Sequence, residues 1–248
     1  MKWTFFLGAI CFSIFGFSQT INQVDAEMRK QGLWRSYHPD SIVELEGHYK
    51  DDLRQGLWKE YYANGNLKTI ANYIDDQFDD IYIYFDDRGY VRRVEHYKNG
   101  ALHGLQTQYH QAGVVRETAG WKEGKLHGKR TLYYLSQKKQ EEATYVDGQK
   151  HGKAYWYFDN GEVSIEYTYE MGVISGPTAS FYKDGGVRNT VNYANNAMQG
   201  EYKEFYENGK LRLLGNYIAG KKEGRWTEYD ESGKVLRTIK YKNDEEVK

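Results

Sequence analysis

Three histidines stand at equal intervals in this chain: His103, His127 and His151, 24 residues apart. Imidazole is a frequent zinc ligand, so the column invites a metal-site reading. The interval argues against it. If each histidine belongs to a successive β-hairpin, equivalent residues stand ~10 Å apart, whereas zinc ligands lie about 2 Å from a shared ion. The histidines therefore read as loop residues between hairpins. Asp75, Asp76, Asp79, Asp80, Asp86 and Asp87 crowd one stretch and could attract a hard cation. They lack the D-x-D-x-D-G loop that calcium needs, and read as solvated loop. Glu141 and Glu142 could serve glycoside hydrolysis, but neighbours on a strand face opposite sides and would not converge on one bond. There is no G-x-S-x-G elbow, no P-loop and no G-x-G-x-x-G opening a helix. The chain reads as non-enzymatic, with no catalytic residue, metal ligand or cofactor expected.

The elements carrying these residues recur on a fixed period. Taking the opening residue of each unit as position 0, the series is Gly32, Gly56, Asp80, Gly104, Gly128, Gly152, Gly176, Gly200 and Gly224, a step of 24 residues each time. Self-similarity at such a period marks a solenoid or array. Position 17 is aromatic in all nine units: Tyr49, Tyr73, Tyr97, Trp121, Tyr145, Tyr169, Tyr193, Tyr217 and Tyr241. Position 5 is aromatic throughout as well, from Tyr37 and Tyr61 to Phe205 and Tyr229. Both columns read as core. Gly200 to Glu223 shows the unit plainly: Tyr202, Phe205 and Tyr206 favour a strand, Asn208-Gly209 a turn, and Leu211 to Tyr217 the returning strand.

Position 11, aliphatic except at Lys139, shares parity with position 17 and is expected on the same side of the second strand. Pairs such as Asn64-Gly65 and Asn160-Gly161 supply the positive φ of a tight hairpin tip. Position 20 holds only Gly, Asn or Asp, which tolerate left-handed backbone, and marks a turn between hairpins. Two tips deviate, at His38-Pro39-Asp40-Ser41 and Ser136-Gln137-Lys138-Lys139, and the second is expected to be locally altered.

Position 2 is the column with a functional reading: Trp34, Trp58, Tyr82, Gln106, Arg130, Ala154, Thr178, Tyr202 and Trp226. Its parity is opposite to position 5, so on a regular strand it faces the other way. Trp34, Trp58, Tyr82, Tyr202 and Trp226 are candidate binding residues as an exposed aromatic surface for a protein or sugar. The competing reading is that these rings only cover the sheet's second face.

The pattern GxWxxYYxNGxLxxxxxYxDGxxxG, seen as GLWKEYYANGNLKTIANYIDDQ and GKAYWYFDNGEVSIEYTYEMG, resembles the MORN-repeat variant family, which includes bacterial antitoxin-like proteins of the YwqK type. The resemblance runs from Gly32 to Val247. It implies β-hairpins laid side by side as an elongated, twisted sheet used for protein or lipid contacts rather than catalysis. The expected fold is thus all-β, an elongated single-sheet array of hairpin repeats with about 18 antiparallel strands, spanning roughly 85–90 Å if straight. Such arrays need polar ends, and Asn243-Asp244-Glu245-Glu246 suits that role.

Thirty-four basic against 35 acidic side chains leave a net charge of −1, so nothing draws a polyanion and nucleic acid is excluded as a partner. Trp3 to Phe17 is an uncharged apolar run after Lys2, like a bacterial secretory signal peptide, with cleavage expected between Ser18 and Gln19. It is short for a spanning helix. Cys11, the only cysteine, lies inside it, and Ile10 before it does not suit lipidation. The chain so divides into a signal peptide (1–18), a lead or N-terminal cap (19–31) and nine repeats (32–248). In the lead, VDAEMRKQ resembles the closing loop of a unit, with Met28 in the turn place. The expected function is an exported, secreted or periplasmic, non-enzymatic scaffold that binds a protein partner as a monomer. Other readings are an antitoxin or immunity-like protein, and a module binding carbohydrate, peptidoglycan or a lipid surface.

Overall fold

The computed structural model describes residues 20–111 and 113–247. The proposed signal peptide, its cleavage point and Cys11 lie outside them. Among the described residues there is no helix, and 22 strands form one antiparallel sheet in which each strand pairs with its neighbours in sequence. Aromatic and β-branched residues favour the pleated surface, and the turns between them leave no length for a crossover. Nine hairpins account for 18 of the strands. Two first strands are broken in two, at Ala101–Leu102 with Gly104–Tyr109 and at Val173–Ile174 with Gly176–Phe181. Gln23–Val24 and Glu245–Val247 add a short edge strand at either end.

The two turns of the unit differ in kind. At the tip, Tyr62 N–H donates to Asn66 O (2.8 Å) and Gly65 N–H to Tyr62 O (2.9 Å), with Gly65 at φ 83°. This is a three-residue loop with one left-handed residue, so the asparagine of Asn-Gly does not take a positive φ. The tight two-residue turn is the other one. Asp75 and Asp76 connect Leu67–Ile74 to Gln77–Phe85 with φ of 48° and 64°, and both central residues are left-handed, as a type I′ turn requires. The deviant tips keep the common geometry: Ser41 (φ 65°) and Gln137 (φ 64°) stand where glycine stands elsewhere. The tip of unit five is therefore not altered in backbone. Met28 (φ 64°) occupies that same place in the lead, which closes as a tip rather than as the loop between units.

The opening residue lies inside the first strand, not at its start. In Leu53–Tyr61 it is the fourth residue, Gly56, at φ 66°, and Asp80 adopts φ 67° in its place in unit three. Ladder register slips around it: Ala71 pairs with Tyr82 and Tyr73 with Phe78, so three residues of one strand face one of the other. A second slip falls between positions 4 and 5, as at Glu60 and Tyr61. These bulges re-aim side chains. Trp58 pairs directly with Ala71, two residues from Tyr73, which puts positions 2, 15 and 17 on one face. Position 11 does not join them. In unit five Lys139 ion-pairs with Glu142 (2.6 Å) and lies over the Tyr157 ring, whereas Tyr145, three residues from Glu142, points to the other side. The shared side expected for positions 11 and 17 is thus overturned by the bulge at the tip end.

Candidate interaction surface

The face carrying positions 2 and 17 is where the candidate rings lie, and it packs them instead of displaying them. Trp58 and Trp226 are each only 3% accessible. Trp34, Tyr82 and Tyr202 are half-buried. The cause is at position 15, where Gly47, Ala71 and Gly215 leave room for the position-2 ring of the next unit, while the equally small Ala119 and Ala143 pair with Arg130 and Ala154. A Cβ on Gly47 would meet Trp58 Cδ2 at 2.2 Å, and one on Gly215 would meet Trp226 Cδ2 at 2.2 Å, so each indole lies flat on a glycine. Tyr49 packs edge-on against Trp58 (4.8 Å between centroids) and Trp34 (5.7 Å). Tyr217 does the same against Trp226 (5.0 Å) and Tyr202 (5.6 Å). In units one, two, six and nine a basic residue two places before the opening one joins the rings: Lys222 Nζ sits 4.7 Å from the Trp226 ring and 5.1 Å from that of Tyr241. The five candidate residues form two groups, Trp34, Trp58 and Tyr82 near one end and Tyr202 with Trp226 near the other, each built mainly from ring contacts.

Between those groups the column turns polar. Glu95 holds position 15 of unit three at 3% accessibility. It accepts hydrogen bonds from Gln106 Nε2 (2.5 Å) and the Tyr97 hydroxyl (3.0 Å). Arg93 Nε lies 3.3 Å from Glu95 Oε1, an ion pair by distance, although its N–H is aimed too poorly to donate a hydrogen bond. Burial, followed by the charge of Glu95, pushes the Tyr97 phenol up to about 12. In the next units Arg130 Nε donates to Glu117 at 2.7 Å. Beside Glu95 opens a cleft of about 310 Å³, walled by Tyr82 and Tyr84 and furnished with Arg92, Arg93, Arg116 and Gln108. Tyr109 lines it too, and of the lining residues only Tyr82 and Tyr109 stand in columns that spacing singles out. The signal for the rest is at position 4, which is Tyr84 and Gln108 here but glutamate in Glu60, Glu204 and Glu228.

The other sequence candidates serve the backbone and their neighbours. Asp76 caps the Arg54 backbone N–H (3.0 Å) and pairs with its guanidinium (2.8 Å), which holds its carboxyl below the usual range. Asp86 caps a hairpin tip through Arg88 and Tyr90 and pairs with Arg92 at 2.7 Å. Glu141 binds Lys150 while Glu142 binds Lys129 and Lys139, so the two neighbouring acids do face opposite sides. His103 donates its backbone N–H to His96 O within the bulge, and His127 Nδ1 stands 3.7 Å from Asp147. Among the described residues no group of three or more His, Cys, Asp or Glu is placed to hold a metal ion.

The model of the MORN repeat variant family matches residues 30–51, 54–75, 150–171, 198–219 and 222–243, which are units one, two, six, eight and nine in the register above. The chain carries MORN repeat variants. The unmatched units, three, four, five and seven, include both that form the polar cleft. No curated protein matches the chain. Among solved structures it is similar to a Tc holotoxin pore of Photorhabdus luminescens at 11% identity and a TM-score of 0.22, over 85% of this chain and 13% of that one. It is also similar to a TcdB2–TccC3 structure at 11% identity and a TM-score of 0.18, over 89% of this chain and 17% of that one. The MORN array thus spans a small part of the length of either.

Proposed function

We propose that this MORN array is an exported, non-enzymatic scaffold that binds a protein partner in the bacterial envelope. The observation that carries the proposal is the division of labour in the unit. Acids and left-handed residues hold the turns, rings on small residues hold one face, and the result is a continuous sheet whose two faces are open along its length. Repeats of this family generally act in protein and membrane interaction. The apolar run from Trp3 to Phe17 behind Lys2 supports export. A sheet of this kind offers contact area without a deep cavity, which suits a partner with an extended surface. The test joins fractionation to cross-linking in the producing cell. The expected result is a processed chain in the envelope fraction, joined to one protein whose purified form binds it. A chain confined to the cytoplasm, or no specific adduct, would contradict the proposal.

A further inference from the structure

Position 4 of the unit lies beside positions 12 and 13 on the ring-bearing face, and in three units a glutamate there neutralises a cation of that row. Glu60 pairs with Lys68 at 2.6 Å, Glu204 with Arg212 at 2.9 Å and Glu228 with Arg237 at 2.6 Å. Units three and four keep the cations, as Arg92, Arg93 and Arg116, but replace the glutamate by Tyr84 and Gln108. Two acids answer three arginines there. Asp86 takes Arg92 from the hairpin tip and buried Glu95 takes Arg93 from below. Arg116 donates to the amide oxygen of Gln108 and, among the described residues, has no carboxylate within 4.0 Å. Among the described residues Arg188 in unit seven also has no carboxylate within 4.0 Å, but it lies in the register slip beside Asn189, which pairs with Ser180, with no second arginine at its side. In units three and four three guanidinium groups line one cleft, with Tyr82 and Tyr84 as its apolar wall.

We infer that this cleft receives a carboxylate from an acidic segment of the partner protein, in the place a position-4 glutamate fills elsewhere in the array. A planar carboxylate matches the guanidinium fork of Arg116, and both groups are charged, so the bond is of the strong kind. Glu95 and Asp86 hold the two flanking arginines without neutralising the third. The tyrosine rings limit water at the site and lend contact area to the apolar atoms of an incoming Asp or Glu. The inference rests on the protein-partner reading above and supplies that partner's chemistry.

Binding of a fluorescent glutamate-rich hexapeptide to the purified mature chain tests it, with the glutamine isostere of the peptide, inorganic phosphate and an anionic glycan as rival probes. The hexapeptide is expected to bind at least roughly tenfold more tightly than its isostere. Gln108→Glu supplies the missing carboxylate from within, so it is expected to weaken peptide binding at least roughly tenfold while leaving the thermal midpoint unchanged or higher. Arg116→Gln is expected to weaken binding similarly, and Arg88→Gln, at the tip of unit three, to leave it unchanged. Equal binding of peptide and isostere, full binding by Gln108→Glu, or preference for phosphate or glycan would overturn the inference. If cross-linking in the cell still joins Gln108→Glu to the wild-type partner, the scaffold stands and the cleft assignment falls. If no partner is joined by either protein, the scaffold itself falls.

Discussion

Gly47→Ala is the sharpest perturbation of the ring-on-glycine packing. Its new methyl would stand 2.2 Å from Trp58 Cδ2 and 2.4 Å from Cε2, where ordinary contact begins at 3.4 Å, so the indole must retreat by about 1.2 Å. Tyr49 at 4.8 Å and the paired Ala71 leave it little space to do so. Overpacking of this kind costs about 1–3 kcal/mol. Full ejection of the ring sets the ceiling: a Trp buries roughly 150–250 Å², which at about 25 cal/mol per Å² is ~4–6 kcal/mol. Trp58→Ala alone should cost about 3–5 kcal/mol. In that background the clash is gone, so Gly47→Ala should be neutral or stabilise by ~0.5–1 kcal/mol through the unfolded chain. The coupling between the two sites, the difference between those two effects, is then about 1–4 kcal/mol. Urea denaturation of the four proteins gives the cycle. Hydrogen exchange on Val43–Lys50 and Leu53–Tyr61 localises the loss, because repeat arrays open in parts. The same cost for Gly47→Ala with and without Trp58 would refute the packing argument.

Other consequences are open to measurement. The phenols of Tyr61, Tyr97 and Tyr202 are each pushed up to about 12, first by burial and then by Glu46, Glu95 and Glu204. Since an unfolded tyrosine titrates near pH 10, their contribution is complete below about pH 10 and lost as pH rises toward 12. A near-ultraviolet titration should show late ionisation coincident with unfolding, and early ionisation of all tyrosines would count against it. At the acid end, the carboxyl of Asp76 is lowered by Arg54, so its contribution is present above the ordinary aspartate range and lost as pH falls through its folded value. Asp76→Asn should flatten the acid limb of the stability profile. Ala219 sits at φ 48° in the tight turn where six of the other eight units carry Asn or Asp. Ala219→Asn should stabilise by about 0.5–1 kcal/mol by relieving the left-handed strain, and a loss of stability in urea would contradict the turn assignment.

The period, the hairpin unit and the single sheet are legible in the sequence because the same positions carry the same chemistry nine times over: a ring at position 17, a turn former at position 20. Direction is less legible. Parity counting assumes a strand without bulges, and this unit has two, at the opening residue and near the tip. Position 2 keeps its opposition to position 5, since both stand beyond the first bulge on one strand, but position 11 is turned away from position 17. Exposure of Trp58 and Trp226 is misread for a different reason. A one-layer sheet has no second layer to cover its rings, yet Gly47 and Gly215 let each indole sink onto the backbone of the preceding unit. That pairing is written at position 15, whose small residues matter only once register is known. The arginine cleft is harder still to see, because its mark is what units three and four lack relative to Glu60, Glu204 and Glu228.

The claim that this chain works by touching a protein partner is tested most directly by photo-cross-linking in the producing cell. A photoreactive side chain is placed in turn at Tyr84 and Gln108 on the cleft face, and at Thr107 and Thr118, whose positions 3 and 14 lie on the opposite face. One protein adduct of constant size from Tyr84 and Gln108 in the envelope fraction, absent from Thr107 and Thr118, is the expected result. No adduct at any of the four positions, or adducts from Thr107 and Thr118 alone, would contradict it.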